Sequence, residues 1–406
     1  MPIPVAGVRT RWSLTIATVA YLLFCLAGPV EAVVPSWTTL IQGPQGGYPY
    51  GIVERGDVTF ALIGGSSESG DGVCRVARLD ASGTVTWIRQ IATGPTLDCD
   101  GMAGDETGLY VGMSALGPLD GVPGDDGFDA YVRKLGFDAS EIWTRSFSGP
   151  DSELTWAIAA GGGNVVMGGY RFFDFSTGIS HEAFVRSYDV DGNVRWTRLI
   201  DSEDDDVVTA VAVDVSGTYA SVLHLDAATT SIHGFSSDGR PRWTTPIDTG
   251  GGTVVNAMSV SDDHVYTAGD TDGVFPSKQS AGGTDVFVAT FGPSSGASGW
   301  VRQFGTPGSE SATALGLGPA GVYVAGRTDG SLPRFEALGH GDAFVRSYTT
   351  SGRRRWTRQF GTHRTDSAQG VTADADGVTT LGITAGNLGT GHVEYSAIFV
   401  RRWIPA

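Results

Sequence analysis

Carboxylates have the widest chemical scope in this 406-residue chain, where 44 Asp and Glu face 27 Lys and Arg and the formal charge is −17. They gather in short polar stretches: Asp98 and Asp100, Asp151 and Glu153, Asp201 through Asp206 with five acids, Glu310, and Asp366. Longer loops add Asp120, Asp125, Asp126, Asp272 and Asp329. Oxygen donors of this kind suit calcium, or a cationic partner. Tyr170-Arg-Phe-Phe-Asp-Phe175 contributes aromatics that could anchor a protein or stack on a sugar ring. The candidate ligand-binding set is therefore Asp98, Asp100, Asp151, Glu153, Asp204, Asp205, Glu310, Asp366, Phe172 and Phe173. The acidic balance excludes nucleic acid, which needs a basic footprint.

Other motifs reduce to turns. Gly316-Leu-Gly-Pro-Ala-Gly321 has the letters of a dinucleotide fingerprint, but a strand follows it where a helix is required. Arg55-Gly-Asp57 occupies the same kind of hairpin. Asp189-Val-Asp-Gly-Asn193 and Asp374-Ala-Asp-Gly377 lack the distal Glu of an EF-hand loop and use ordinary turn residues. The seven His residues are scattered, and no Cys/His spacing resembles a zinc site. No catalytic residue is assigned.

The elements that must position these groups are set by Trp. A motif of Trp, any residue, Arg or Thr, any residue, Ile or Phe starts at Trp37, Trp87, Trp143, Trp196, Trp243, Trp300 and Trp356, at intervals of 47 to 57 residues. Between successive Trp strands lie a small-residue strand such as Ser311–Leu315, a strand ending in Gly such as Val322–Gly326, and an alternating strand opened by an acid. Asp129, Asp285 and Asp342 open the clearest of these last strands. A Gly four residues before the next Trp makes the final turn; only the second copy departs, with Ala139. Four antiparallel strands repeated radially predict an all-β, seven-bladed propeller. The recurrent Trp and Asp residues are scaffold. The last copy lacks its Trp strand, so Ser36–Gln42 is expected to complete it and remove the open edges. Residues at positions one, three and five of the Trp motif share a face. Arg89, Arg145, Arg198, Arg302 and Arg358 are therefore expected to pair with the acids opening the third strands.

Residues 1–32 read as a secretory signal peptide: Arg9 and Arg11, an apolar run from Leu14 to Ala27, and Val-Glu-Ala before a cleavage point after Ala32. The domain assignment is 1–32 for the leader and 33–406 for the propeller. No later segment could span a membrane, and the mature chain is expected outside the cytoplasm, in a periplasm, on a surface or secreted, as a monomer. Such a compartment permits a disulfide. Cys74 and Cys99 fall in neighbouring blades on non-equivalent strands, which leaves their pairing open.

The combination of Asp-Ala-Phe-Val, Gly-x-x-x-Trp and Val-Tyr-Val-x-Gly-x-Thr resembles the bacterial and archaeal SBBP propeller repeat across residues 36 to 406. Residues 196–243 depart most, with Ser231-Ile-His-Gly-Phe235 where the Asp-Ala-Phe-Val strand belongs. That resemblance implies an exported propeller without implying an activity. Leu79-Asp-Ala-Ser-Gly83…Trp87 is also similar to quinoprotein-type repeats, which would imply pyrroloquinoline quinone with calcium in the channel. The leading expectation is a non-catalytic exported scaffold that binds a protein or glycan through loops on one acidic face. A channel-mouth enzyme and a structural envelope or matrix module are the alternatives.

Overall fold

The structure, a computed structural model, describes residues 33–42, 47–172, 180–200, 205–389, 393 and 395–405. The expected signal peptide lies outside the described residues. Among the described residues, twenty-eight strands form seven four-stranded antiparallel sheets. Each sheet is one blade, and its strands run in chain order from the channel outward. Blade 1 is Tyr48–Arg55, Val58–Ser66, Gly72–Leu79 and Val85–Gly94. Blade 7 takes three strands from the C-terminal end and its outermost from the N-terminal end: Val33–Ile41 pairs Ala397–Pro405, from Val33 opposite Pro405 to Ile41 opposite Ile398. The ring is thus closed by the chain's own first strand. Among the described residues no helix is long and apolar enough to cross a membrane.

The core lies between blades. Seven apolar clusters occupy the seven seams; at the seam of blades 5 and 6, Tyr266, Val286 and Val288 meet Leu315, Val324 and Phe344. Third strands such as Asp285–Phe291 are buried along their whole length, because a blade covers each face. Full burial of each large apolar side chain there contributes about 1.5–3 kcal/mol relative to exposure.

The Trp strands tie each blade to the next. Trp243 Nε1 donates to the Pro293 carbonyl (3.0 Å) and Trp300 Nε1 to the Thr350 carbonyl (2.9 Å), both in the outer turn of the following blade. The indole lies on that turn's glycine: a Cβ on Gly239 or Gly352 would come within 2.5 Å of the Trp196 or Trp300 ring, and both glycines have φ of +78°. Glycine is required there twice over, by the left-handed backbone and by the ring above it. Ala139, the one exception, holds φ +61° as a non-glycine residue.

The expected Arg–acid pairs do not form. Arg302 Nε donates to the Gly352 carbonyl (2.7 Å), Arg198 to Gly239 (2.6 Å), Arg145 to Gly192 (3.0 Å) and Arg89 to the Asp138 carbonyl. Arg358 donates to the carbonyl of Val33, at the start of the closing strand (3.0 and 2.8 Å). The Arg follows its Trp toward the neighbouring turn, stacking on that Trp in three blades. The acids lie elsewhere in the seam, and Asp285 and Asp342 are met by the Gln at position four of the motif, Gln303 and Gln359 (2.9 and 2.7 Å).

Candidate ligand site

The first strand of every blade lines a central channel, and each carries a β-bulge at the same place. The residues skipped by the register are Tyr50, Asp100, Trp156, Thr209, Asn256, Thr313 and Gln369, in blades 1 to 7. A bulge leaves its extra residue unpaired in the ladder and re-aims its side chain. All seven line one cavity of about 450 Å3. Met102, Ile158, Val211 and Met258 border both this cavity and a second of about 400 Å3 further along the channel. They make an apolar waist below a polar mouth.

In blades 4 to 7 the bulge residues are committed to their neighbours. Thr209 donates to the Val255 carbonyl (2.7 Å) and Thr313 to the Ala368 carbonyl (2.6 Å). Asn256 donates to the Ala312 carbonyl (2.9 Å) and to Asp270 (2.6 Å), which also accepts from Ser311 (2.9 Å). Gln369 reaches the Tyr48 hydroxyl across the closing seam (3.0 Å). These side chains form a relay of hydrogen bonds around half the mouth.

Blades 1 to 3 present larger groups. Trp156 is 53% exposed and Tyr48 is 40% exposed, on a polar rim. Tyr48 and Tyr50 meet edge to face at 5.8 Å, and Trp156 packs on Tyr170 at 5.9 Å. Between these pairs in blade order lie Asp98 and Asp100. Asp100 accepts one hydrogen bond at Oδ2, from Ser114 (2.7 Å), whose oxygen in turn accepts from the Thr155 amide of blade 3 (3.0 Å). Burial raises the Asp100 carboxyl well above the usual carboxylate range, and the like charge of Asp98 adds to this. Tyr50 is raised by burial and then by Asp98 and Asp100, and Tyr170 by burial and then by Asp100. Cys74 and Cys99 do pair, with Cα atoms 5.9 Å apart. The bridge fixes the residue next to Asp100 to the third strand of blade 1, and the Tyr50 ring and Cys99 sulfur lie over Gly64.

The remaining candidate acids divide. Glu153, Glu310 and Asp366 are buried in seams, each beside the acid that opens the preceding blade's third strand. Asp285 accepts from the Ala281 amide and Gln303, and Glu310 from the Thr306 amide (2.6 Å), Thr306 Oγ1 and Thr328 Oγ1 (both 2.7 Å). Asp366 accepts from the Thr362 amide (2.6 Å). Glu153 Oε2 and Asp129 Oδ1 have no partner, and neither have Asp366 Oδ1 and Asp342 Oδ1 one seam beyond Glu310. Burial, then Asp125, Asp129 and Asp151, push Glu153 up to about 7; burial and Asp125 push Asp129 up to about 6. Asp151 is half-buried beside them. Asp205 bonds His181 (3.0 Å), and the half-buried Phe172 lies near the same ring. Asp204 and Phe173 lie outside the described residues. Among the described residues, no three His, Cys, Asp or Glu converge as a ligand set for a metal.

Two constellations have the letters or connectivity of hydrolytic sites. Gly292-Pro-Ser-Ser-Gly296 matches Gly-x-Ser-x-Gly, but it is the turn between two strands of blade 5, beneath Trp243. In blade 4, Asp206 bonds His224 Nδ1 (2.6 Å) and His224 Nε2 bonds Ser231 (2.9 Å), as in a catalytic triad. Ser231 is 6% exposed and also bonded by His233 (2.8 Å). By strand register Ser231 stands where blade 5 has Phe287, and His224 where it has Thr271. The network replaces a missing aromatic in the packed seam. Burial and His224 push His233 down to about 4.

The bulge ring was not apparent in the sequence, where the first strands read only as small-residue strands. Its signal is the aligned position that changes type in nearly every blade, followed each time by Gly or Ala.

No known family profile matches the chain, and no curated protein sequence matches it. Solved structures do. Quinohemoprotein alcohol dehydrogenase from Comamonas testosteroni aligns over 92% of this chain and 77% of its own, at 10% identity and TM-score 0.45. Uncomplexed Pyrococcus horikoshii acylaminoacyl peptidase aligns over 88% of this chain and 52% of its own, at 10% identity and TM-score 0.50. Its orthorhombic crystal form gives 84%, 50%, 11% and 0.47. The chain spans about half the length of that peptidase. At these identities the likeness is one of fold, and the chain is a seven-bladed β-propeller.

Proposed function

We propose that this chain is an exported, non-catalytic binding module, of the SBBP type suggested by its repeats, and that it holds a glycan at the blade 1–3 side of its channel mouth. The observation that carries this reading is the split in the bulge ring. Four of seven equivalent side chains are spent on neighbouring blades, while Tyr50, Asp100 and Trp156 face the cavity with aromatic surface and a carboxylate. Exposed aromatic rings beside polar groups supply the apolar faces and hydrogen bonds a sugar needs, on a rigid frame. The test is titration of soluble oligosaccharides into residues 33–406 and its Trp156→Ala variant. Binding by the parent that is lost in the variant supports the reading. Equal binding by both, or none by the parent, contradicts it.

A further inference from the structure

We infer that the bound glycan carries a protonated amine, so that the blade 1–3 pocket is a site for an amino sugar with its nitrogen free. This rests on the glycan reading and deepens it. Asp100 lines the cavity, with Oδ2 engaged by Ser114 and, among the described residues, no hydrogen bond to Oδ1. Its burial and the like charge of Asp98 act against a charge on it, and among the described residues no Lys or Arg forms an ion pair with it. Burial favours the neutral acid in the empty pocket and a neutral ligand leaves it so, whereas a cation offsets the cost of ionising it there. An ammonium group supplies both the charge and the donors. The flanking groups suit it as well: Tyr50 on one side and the Trp156–Tyr170 pair on the other offer ring faces, which attract cations within about 6 Å. Neutral hydroxyls find fewer free partners, because Thr209, Asn256, Thr313 and Ser311 are already bonded to protein.

The experiment titrates four probes into residues 33–406 at about pH 6 in roughly 0.15 M salt, where exposed charges beyond about 8 Å are screened. The probes are a fully deacetylated glucosamine tetramer, its N-acetylated counterpart, a neutral glucose tetramer, and a lysine peptide of the same charge as the first. The expected result is that the free-amine tetramer binds at least about tenfold more tightly than the other three. Asp100→Asn, which keeps the acceptor for Ser114, should reduce that preference to about threefold or less, and Trp156→Ala should remove binding of every sugar. Equal or tighter binding of the N-acetylated or neutral tetramer overturns the amine and leaves the glycan reading standing. Binding of the peptide with none of the sugars overturns both, as does the absence of binding by all four.

Discussion

The two halves of the channel mouth start from one repeated strand and end differently. In blades 4 to 7 the bulge residue is Thr, Asn, Thr or Gln, and its side chain turns sideways to staple the next blade. In blades 1 to 3 it is Tyr, Asp or Trp, and it faces the cavity. A position that the fold requires in every blade has thus been used for closure on one side and for surface on the other. The acid pairs in the seams below also differ, though not by half: Asp342 and Asp366, between blades 6 and 7, each leave a buried oxygen without a partner. Between blades 5 and 6 the acid pair Asp285 and Glu310 is fully hydrogen-bonded, whereas between blades 2 and 3 Asp129 and Glu153 each leave a buried oxygen without a partner.

The largest effect should come from the one covalent link on the ligand side. Removing the Cys74–Cys99 bridge, which closes a loop with a sequence separation of 25, should cost about 3–4 kcal/mol in urea unfolding and weaken binding through the Asp100 strand. An unchanged urea midpoint would show that the bridge does not hold that half together. On the opposite half, Asn256→Ala leaves Asp270 with one donor fewer; a loss of about 1–3 kcal/mol is expected, with binding intact.

The acid pairs give a prediction in pH. Glu153 has a folded value of about 7 against an ordinary 4.5, so the protonated form is favoured in the fold. Its stabilisation is complete below about pH 4.5 and is lost as pH rises through 7. Asp129, at about 6, acts in the same direction over a lower window. Melting temperature should therefore fall between pH 5 and pH 8 on account of this seam. Glu153→Gln, a neutral isostere, should raise stability at pH 8 by about 1–2 kcal/mol and flatten the profile. Glu310→Gln should lower stability, since Glu310 accepts three hydrogen bonds in its own seam. Matching responses in the two variants would erase the contrast between the seams.

The smallest effect concerns the backbone. Ala139→Gly relieves a left-handed residue beneath the blade 1 Trp strand and should stabilise by about 1 kcal/mol, read as a rise in urea midpoint. A loss would mean that the Ala139 methyl, which packs in the blade 1–2 cluster, outweighs the strain.

What could be read in advance follows from repetition. Trp300, Gly352 and the acid at Asp342 recur in most blades, so blade number, strand order and closure by an N-terminal strand were legible; that strand was expected at Ser36–Gln42 and is Val33–Ile41. Side-chain partners were less legible. Arg302 and Asp285 fall close together along the repeat, and only the fold shows that Arg302 reaches a turn carbonyl while Gln303 meets the acid. Glu153, Glu310 and Asp366 read as loop acids because the seam burying them is formed by another blade. Asp98 and Asp100 were legible as site candidates; Tyr50 and Trp156 were not, because a bulge is a register event and leaves no local motif.

The central claim is that one half of the mouth binds and the other holds the ring together. It is tested most directly by measuring ligand affinity and unfolding free energy side by side for Trp156→Ala and Asn256→Ala. The predicted result is crossed: Trp156→Ala loses binding with stability within about 0.5 kcal/mol of the parent, and Asn256→Ala loses stability but keeps its affinity. Parallel losses in both variants, or the reverse assignment, would contradict it.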